Sequence, residues 1–340
     1  MTETMTYAPG RGPASSLDEI AEVLLAHDKF VVASHLNPDG DAIGSSRALE
    51  LLLRSLGKDV IVFIPGAVVP PEFEFIRSDT LTDDVPDDIA ERIVVCVDCG
   101  NESRVKSDEL LSRAQRVLNV DHHGDNTHFG QLNHVRAEAA CAAQLVWDLA
   151  GHLGIEHPPV EVAIPVYIGL VTDTGRFQYS NTTPDAFQLA ADLARTGVDV
   201  HDIFSRIFES VTYPRLRLLG RALENSLQSR DGRVVATHLS QADFDDANAT
   251  EDDAEGVVDA LRSVQGTDVA VFLRDLEPGS DHLRKGSLRT TREDLDVSAI
   301  ARTWNGGGHR QAAGFNTSDD LATVVDRVQD MVAAQLETGA

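Results

Sequence analysis

Four groups of carboxylates and imidazoles in this chain have the residue types and spacing to bind cations and handle a phosphoryl group. They are His35-Leu36-Asn37-Pro38-Asp39-Gly40-Asp41, the single Asp98, Asp121-His122-His123, and Asp173 in Gly169-Leu170-Val171-Thr172-Asp173-Thr174. Asp and His together suit Mn²⁺ or Mg²⁺, and Mn²⁺ is the better match for imidazole. Pro38 and Gly40 let the first loop turn sharply, and Asp39 and Asp41 share a face if that segment is extended. Asp98, from a neighbouring strand, could then bridge two ions. In two-metal hydrolases the ions sit ~3.5–4 Å apart and share a hydroxide aimed at an electrophilic centre. Phosphoryl transfer fits such a site because its charge is spread over oxygens that cations can hold. Asp39, Asp41, Asp98 and Asp173 would repel one another on convergence, and two divalent ions would neutralise them.

Convergence is expected because these groups fall where strands or helices end. Short apolar, β-branched runs at 30–34, 60–64, 93–97 and 117–120 read as buried parallel strands. Helices are expected at 17–27, opened by the capping box Ser16-Leu17-Asp18-Glu19, at 42–55, 104–113, 137–153, 160–172 and 184–194. Alternating strands and helices give an α/β fold with a doubly wound, mainly parallel sheet, which binds ligands beyond the carboxyl ends of its strands. After Asp231-Gly232 the pattern changes. Strands are expected at 233–239, 268–274 and 282–290, and helices at 252–264, 297–304 and 320–336. The organisation expected is a disordered tail at 1–16, a metal-binding catalytic domain at 17–195 and a helical linker at 196–224. A smaller α+β substrate-binding domain at 225–340 would lie across a cleft.

With 340 residues and a net charge of −26, the chain is long enough for two cores and too acidic to favour long duplex nucleic acid in a basic groove. Three cysteines offer no disulfide framework, which fits a reducing, cytoplasmic setting. The first 16 residues lack the apolar stretch of a signal peptide, and no apolar run approaches the ~18 residues of a membrane span.

A second constellation is Asn305-Gly306-Gly307-Gly308-His309-Arg310-Gln311-Ala312-Ala313-Gly314. Three glycines let backbone amides approach an anion closely, and read locally they form a glycine-rich turn after a helix. The run is neither a Walker A loop nor a dinucleotide fingerprint. Arg104 could reach a phosphate but reads as a solvated helix start, and Ser180-Asn181-Thr182-Thr183 reads as turn and cap chemistry.

Together the first set resembles the motifs of the DHH phosphoesterase superfamily over residues 17–190. The resemblance implies one metal on His35, Asp39 and Asp98 and another on Asp41, Asp98, His122 and Asp173. It also implies that His123 faces the substrate phosphate and that Asp121 orients its neighbours. Gly307-Gly308-His309 with Ala312-Ala313-Gly314, and Gly286-Ser287-Leu288-Arg289 upstream, resemble a DHHA1 domain. That implies substrate binding by Arg289, Gly306, Gly307, Gly308 and His309. The combination resembles the oligoribonuclease and 3′-phosphoadenosine-5′-phosphate phosphatase type. It implies hydrolysis of very short RNA fragments, linear or cyclic dinucleotides and nucleoside 3′,5′-bisphosphates with two divalent ions, Mn²⁺ before Mg²⁺ or Co²⁺. It is compatible with a homodimer. A manganese-dependent pyrophosphatase and a non-catalytic nucleotide sensor are the alternatives.

Overall fold

A computed structural model describes residues 12–209, 211–229, 231–276 and 279–338, apart from the side chains of His309 and Thr338. The chain divides into two compact units, Met1–Ser210 and Val211–Ala340. The stretch expected as a linker contributes one helix to each.

In the first unit the elements run α1 (Leu17–Ala26), β1 (Lys29–Ala33), α2 (Gly40–Ser55), β2 (Asp59–Phe63), β3 (Leu81–Thr82) and β4 (Ile93–Val97). They continue with α3 (Asp108–Arg113), β5 (Arg116–Asp121), β6 (Leu132–Val135), α4 (Ala142–His152), α5 (Val160–Asp173), α6 (Pro184–Arg195) and α7 (Val200–Phe208). The sheet order is β3-β2-β1-β4-β5-β6, and every pairing is parallel. Successive strand residues feed opposite cores. Phe30 and Val32 pack with α1, α2, α4 and α5, while Val31 and Ala33 pack with α3. This two-sided burial explains the unbroken apolar runs. The order reverses between β1 and β4, so the switch point of the sheet lies at their carboxyl ends.

Several boundaries differ from the sequence expectation. The capping box at Ser16 and Glu19 is present. Residues 12–16, read as tail, are tied to β6 and the loop before it: Gly12 N–H donates to His128 O at 2.9 Å, and Ser15 N–H to Asn133 O of β6 at 2.7 Å. The helix expected at 104–113 begins only at Asp108, because Lys106 is left-handed (φ 54°) and Ser107 caps the helix instead.

The second unit comprises α8 (Tyr213–Glu224), β7 (Leu227–Gln228), β8 (Val234–Leu239), α9 (Gln241–Ala247), α10 (Val257–Arg262), β9 (Val269–Asp275) and β10 (Arg284–Arg289). It ends with α11 (Val297–Ala301), β11 (Gly307–His309), β12 (Ala312–Thr317) and α12 (Leu321–Thr338). Its mixed sheet has the order β11-β12-β10-β9-β8-β7, with β8 and β9 parallel. Helices α11 and α12 cover one face, and α8, α9 and α10 the other. The helix expected at 252–264 is interrupted at Gly256 (φ 84°), so α10 starts after it. The glycine run forms an edge strand, not a turn: Gly307 pairs with Gly314 and His309 with Ala312. No helix among the described residues is long and apolar enough to cross a membrane.

Candidate metal centre

The loop after β1 carries His35 and ends in α2, whose cap is Asp39. Asp39 Oδ1 accepts from the N–H groups of Asp41 (3.1 Å) and Ala42 (3.0 Å). Asp39 and Asp41 therefore sit on a helix start, not on one face of an extended segment. Asn37 (φ 54°) makes the left-handed turn. Gly40 serves a close approach: a Cβ there would lie 2.3 Å from Thr172 Oγ1 on α5.

Asp41 is buried, and both its oxygens are fixed by the start of α4. Ala142 N–H donates to Oδ2 at 2.6 Å and Ala143 N–H to Oδ1 at 2.9 Å. A helix amino terminus is a favourable seat for a carboxylate. Asp98 follows β4 in a left-handed conformation (φ 55°) that non-glycine residues rarely take. Such strain tends to gather at functional positions. Asp173 is the last residue of α5.

These elements bring all six proposed ligands together. His35 Nε2 lies 3.3 Å from Asp98 Oδ2 and 4.0 Å from Asp39 Oδ1. His122 Nε2 stands among three carboxylates: 3.5 Å from Asp98, 3.6 Å from Asp173 and 3.8 Å from Asp41. Two groups capable of holding an ion follow, His35 with Asp39 and Asp98, and Asp41 with His122 and Asp173. Asp98 also lies with His122 and His123.

Whether these residues fit cations is decided by their unmet bonds. His35 Nδ1 donates to Leu36 O at 2.9 Å, which points Nε2 at the site, yet among the described residues buried His35 Nε2 and Asp98 Oδ1 make no well-formed hydrogen bond, only ionic approaches of 3.3 Å and 3.5 Å. A buried polar atom without a partner is costly, and a cation between them would satisfy both. Burial, followed by the charges of Asp98 and Asp173, pushes Asp41 well above the usual carboxylate range. Burial chiefly pushes Asp173 up to about 7. Burial disfavours charge on His122, but the surrounding carboxylates outweigh it and lift its pKa to about 10. The residues fit two divalent cations.

A metal ligand must be deprotonated, and without cations His122 keeps its proton through neutral pH while Asp173 is about half protonated at pH 7. Mn²⁺ uptake at pH 7.5 should therefore release at least about one proton, and affinity should rise by about tenfold per pH unit for each proton released. Calorimetry in buffers of different ionisation enthalpy reads this directly; identical heats in all buffers would contradict it.

Around the ligands lies a second arrangement. His123 Nδ1–H donates to Asp121 Oδ1 at 2.8 Å, and Asn126 Nδ2–H donates to Asp121 Oδ2 at 2.6 Å and to Asn119 Oδ1 at 2.8 Å. Asp121 thereby fixes the His123 ring and raises its pKa. The free edge of the ring, Nε2, lies 3.3 Å from Arg104 Nη1. Arg104 is not a solvated helix start. It sits in a 3-10 turn (Glu102–Arg104), and its carbonyl accepts from Leu36 N–H at 3.0 Å, which ties it to the ligand loop.

In the second unit, register places Arg289 and His309 on the two sides of Ala312 across three strands. Arg289 is half-buried, 3.9 Å from Asp259, and its Nη1–H donates to Leu288 O. Gly308 (φ 142°) has no room for a side chain, since a Cβ would lie 2.5 Å from Ala312 O. The His309 side chain is outside the described part.

The DHH family, N-terminal domain, matches residues 29–170, and the DHHA1 domain matches residues 231–338. A Thermus thermophilus protein named bifunctional oligoribonuclease and PAP phosphatase NrnA is 36% identical over 322 residues, 93% of each chain. The chain belongs to the DHH family. A Bacillus subtilis protein of the same name is 26% identical over 94% of this chain and 97% of its own. Among solved structures, an exopolyphosphatase-related protein from Bacteroides fragilis superposes with a TM-score of 0.81 at 25% identity, covering 95% of this chain and 96% of the other. As a DHH-family chain with a DHHA1 domain, this protein is a metal-dependent phosphoester hydrolase.

Proposed function

We propose that this hydrolase uses two ions, Mn²⁺ foremost, to cut very short oligoribonucleotides and dinucleotides to 5′-mononucleotides. The same site would convert 3′-phosphoadenosine-5′-phosphate to AMP. The observation that carries this reading is the convergence at the switch point, with His35 Nε2 and Asp98 Oδ1 buried and making no well-formed hydrogen bond among the described residues. The names of the relatives that match along nearly the whole chain support the substrate class.

His35, Asp39 and Asp98 would hold one ion, and Asp41, Asp98, His122 and Asp173 the other. Two cations there would supply Lewis acidity toward the scissile phosphoryl group and toward the attacking water. The chain's own residues do the rest. Arg104, tied to the ligand loop, presents a donor for phosphoryl oxygens, and His123, its Nδ1–H taken by Asp121, adds an Nε2–H beside it as the imidazolium that Asp121 favours. Arg suits this task because its planar fork pairs bidentately with phosphate. Charge building on those oxygens in the transition state would be met by donors already oriented. Arg289, Gly306, Gly307, Gly308 and His309 of the DHHA1 unit are assigned to the non-reacting end of the substrate. The net charge of −26 argues against long strands, whose binding rests on many cationic contacts.

The deciding experiment follows AMP release from pApA and from 3′-phosphoadenosine-5′-phosphate, with Mn²⁺ and with chelator. Manganese-dependent AMP from both is expected, with rates on a twenty-mer at least about tenfold below those on the dinucleotide, because a net charge of −26 disfavours long strands. Near-equal rates on the two lengths would sink the short-substrate reading. Hydrolysis of pyrophosphate alone would replace it with a pyrophosphatase, and no turnover on any of the four substrates would leave a nucleotide sensor.

A further inference from the structure

Three of the six proposed ligands are held by side-chain hydrogen bonds: Asp39 and Asp41 each accept from two backbone N–H groups, and His35 donates to Leu36 O. Among the described residues the Asp173 carboxylate makes no hydrogen bond, and His122 lies 3.6 Å from it, much as it lies 3.5 Å from Asp98. The position of Asp173 therefore depends on how its backbone is held.

That backbone is gripped from an unexpected direction. Asn181 Nδ2 donates to Asp173 O at 3.1 Å and to Ala140 O at 2.9 Å. Ala140 directly precedes Cys141, the cap of α4, and the next two N–H groups hold Asp41. One amide group thus joins the chain segments that carry or clamp two carboxylates of the same proposed ion site.

The intervening loop is built to bring Asn181 back. After α5, Gly175, Arg176 and Phe177 are all left-handed, at φ 55°, 63° and 62°. Two adjacent non-glycine residues in that region are unusual and persist only where the surroundings enforce them. Here Phe177 stacks on Phe187 of α6 at 5.4 Å, and the Arg176 guanidinium lies 5.2 Å from the Phe208 ring of α7. A Cβ at Gly175 would lie 2.4 Å from the exposed Tyr179 ring, which would have to move, and φ 55° there suits glycine.

We infer that Asn181 is a positioning residue: it ties Asp173 to the α4 terminus that clamps Asp41, and so sets the width of the Asp41–His122–Asp173 ion site. It acts on the ligand backbone and touches no substrate. The inference rests on the two-ion reading.

The test is Mn²⁺ binding alone, followed by calorimetry and electron paramagnetic resonance on the full chain, for wild type, Asn181→Ala and Asn181→Asp. Asp keeps the volume of Asn and removes both donors, so it carries the test if the Ala variant does not fold. One of two affinities should fall by about 10–100-fold, the usual cost of losing a group that supports a ligand. The other should hold, even though the metal-free protein melts somewhat lower for the two hydrogen bonds lost. Excess Mn²⁺ should restore turnover of pApA. Two unchanged affinities would overturn the inference. So would equal weakening of both sites, which would mark Asn181 as merely structural. Failure of the wild type to take up two Mn²⁺ would instead strike the two-ion reading.

Discussion

Replacing Asp98 by Asn is expected to reduce turnover of pApA by at least about 10³-fold, the scale on which removing a preorganised charge from a catalytic site is felt. Asp98 is the carboxylate common to two of the ligand groups, with His35 and Asp39 on one side and His122 and His123 on the other. No neighbour can replace it, because Asp41 is committed to the α4 amides and Asp121 to His123 and Asn126. Asn keeps the shape and tolerates the left-handed conformation at φ 55° better than Ala, so loss of activity would report charge and not backbone strain. Metal content should fall below two ions per chain, read by elemental analysis after gel filtration. The substitution removes repulsion with Asp41 and Asp173 but also the pairing of Asp98 with His35 and His122, so the melting temperature of the metal-free variant is measured alongside as the control for folding. Unchanged hydrolysis with Asp98→Asn would refute the assignment.

What the sequence made legible is local. His35, Asp39, Asp41, Asp98 and His122 could be gathered because their groups follow short runs whose burial on both faces is written in their apolar residues, and Asp173 because it closes an apolar helix. Strand β6 was missed for the converse reason. Leu132-Asn133-His134-Val135 alternates poorly, and its buried Asn133 is satisfied by backbone both nearby, at Gly130 O, and far away, at Pro13 O. Arg104 and Asn181 were undervalued because their partners are set by topology. Arg104 meets His123, which comes from the adjacent strand, and Asn181 meets Ala140 only after three left-handed residues reverse the chain. The positive φ of Gly175 was open to suspicion, that of Arg176 and Phe177 was not. The glycine run misled in a different way. Consecutive glycines read as a turn, yet at 307–309 their smallness admits an edge strand beside Ala312 and Ala313.

Packing, not ligand chemistry, sets the second large effect. Helices α2 and α5 carry Asp41 and Asp173 and pack closely through glycines. A Cβ at Gly44 would lie 2.3 Å from Pro165 O and 3.0 Å from Gly169 N, both rigid backbone atoms of α5. A Cβ at Gly169 would lie 2.6 Å from Asp41 Oδ1. Gly44→Ala must therefore push the helices apart. Forcing one carbon into a packed interior costs about 1–3 kcal/mol, which for a unit of this size lowers the melting temperature by roughly 2–4 °C per kcal/mol. Helix propensity acts in the opposite direction, favouring Ala over Gly by about 1 kcal/mol, so any net destabilisation measures the clash. Gly151→Ala is the matched control. It also lies in a helix, α4, but its Cβ would meet nothing within 4 Å, so it should be neutral or stabilising. Separation of α2 from α5 also widens the Asp41–His122–Asp173 group, so Mn²⁺ affinity there should fall in Gly44→Ala and not in Gly151→Ala. If thermal unfolding and metal titration show both variants alike, the close approach of α2 and α5 is not what places those two carboxylates.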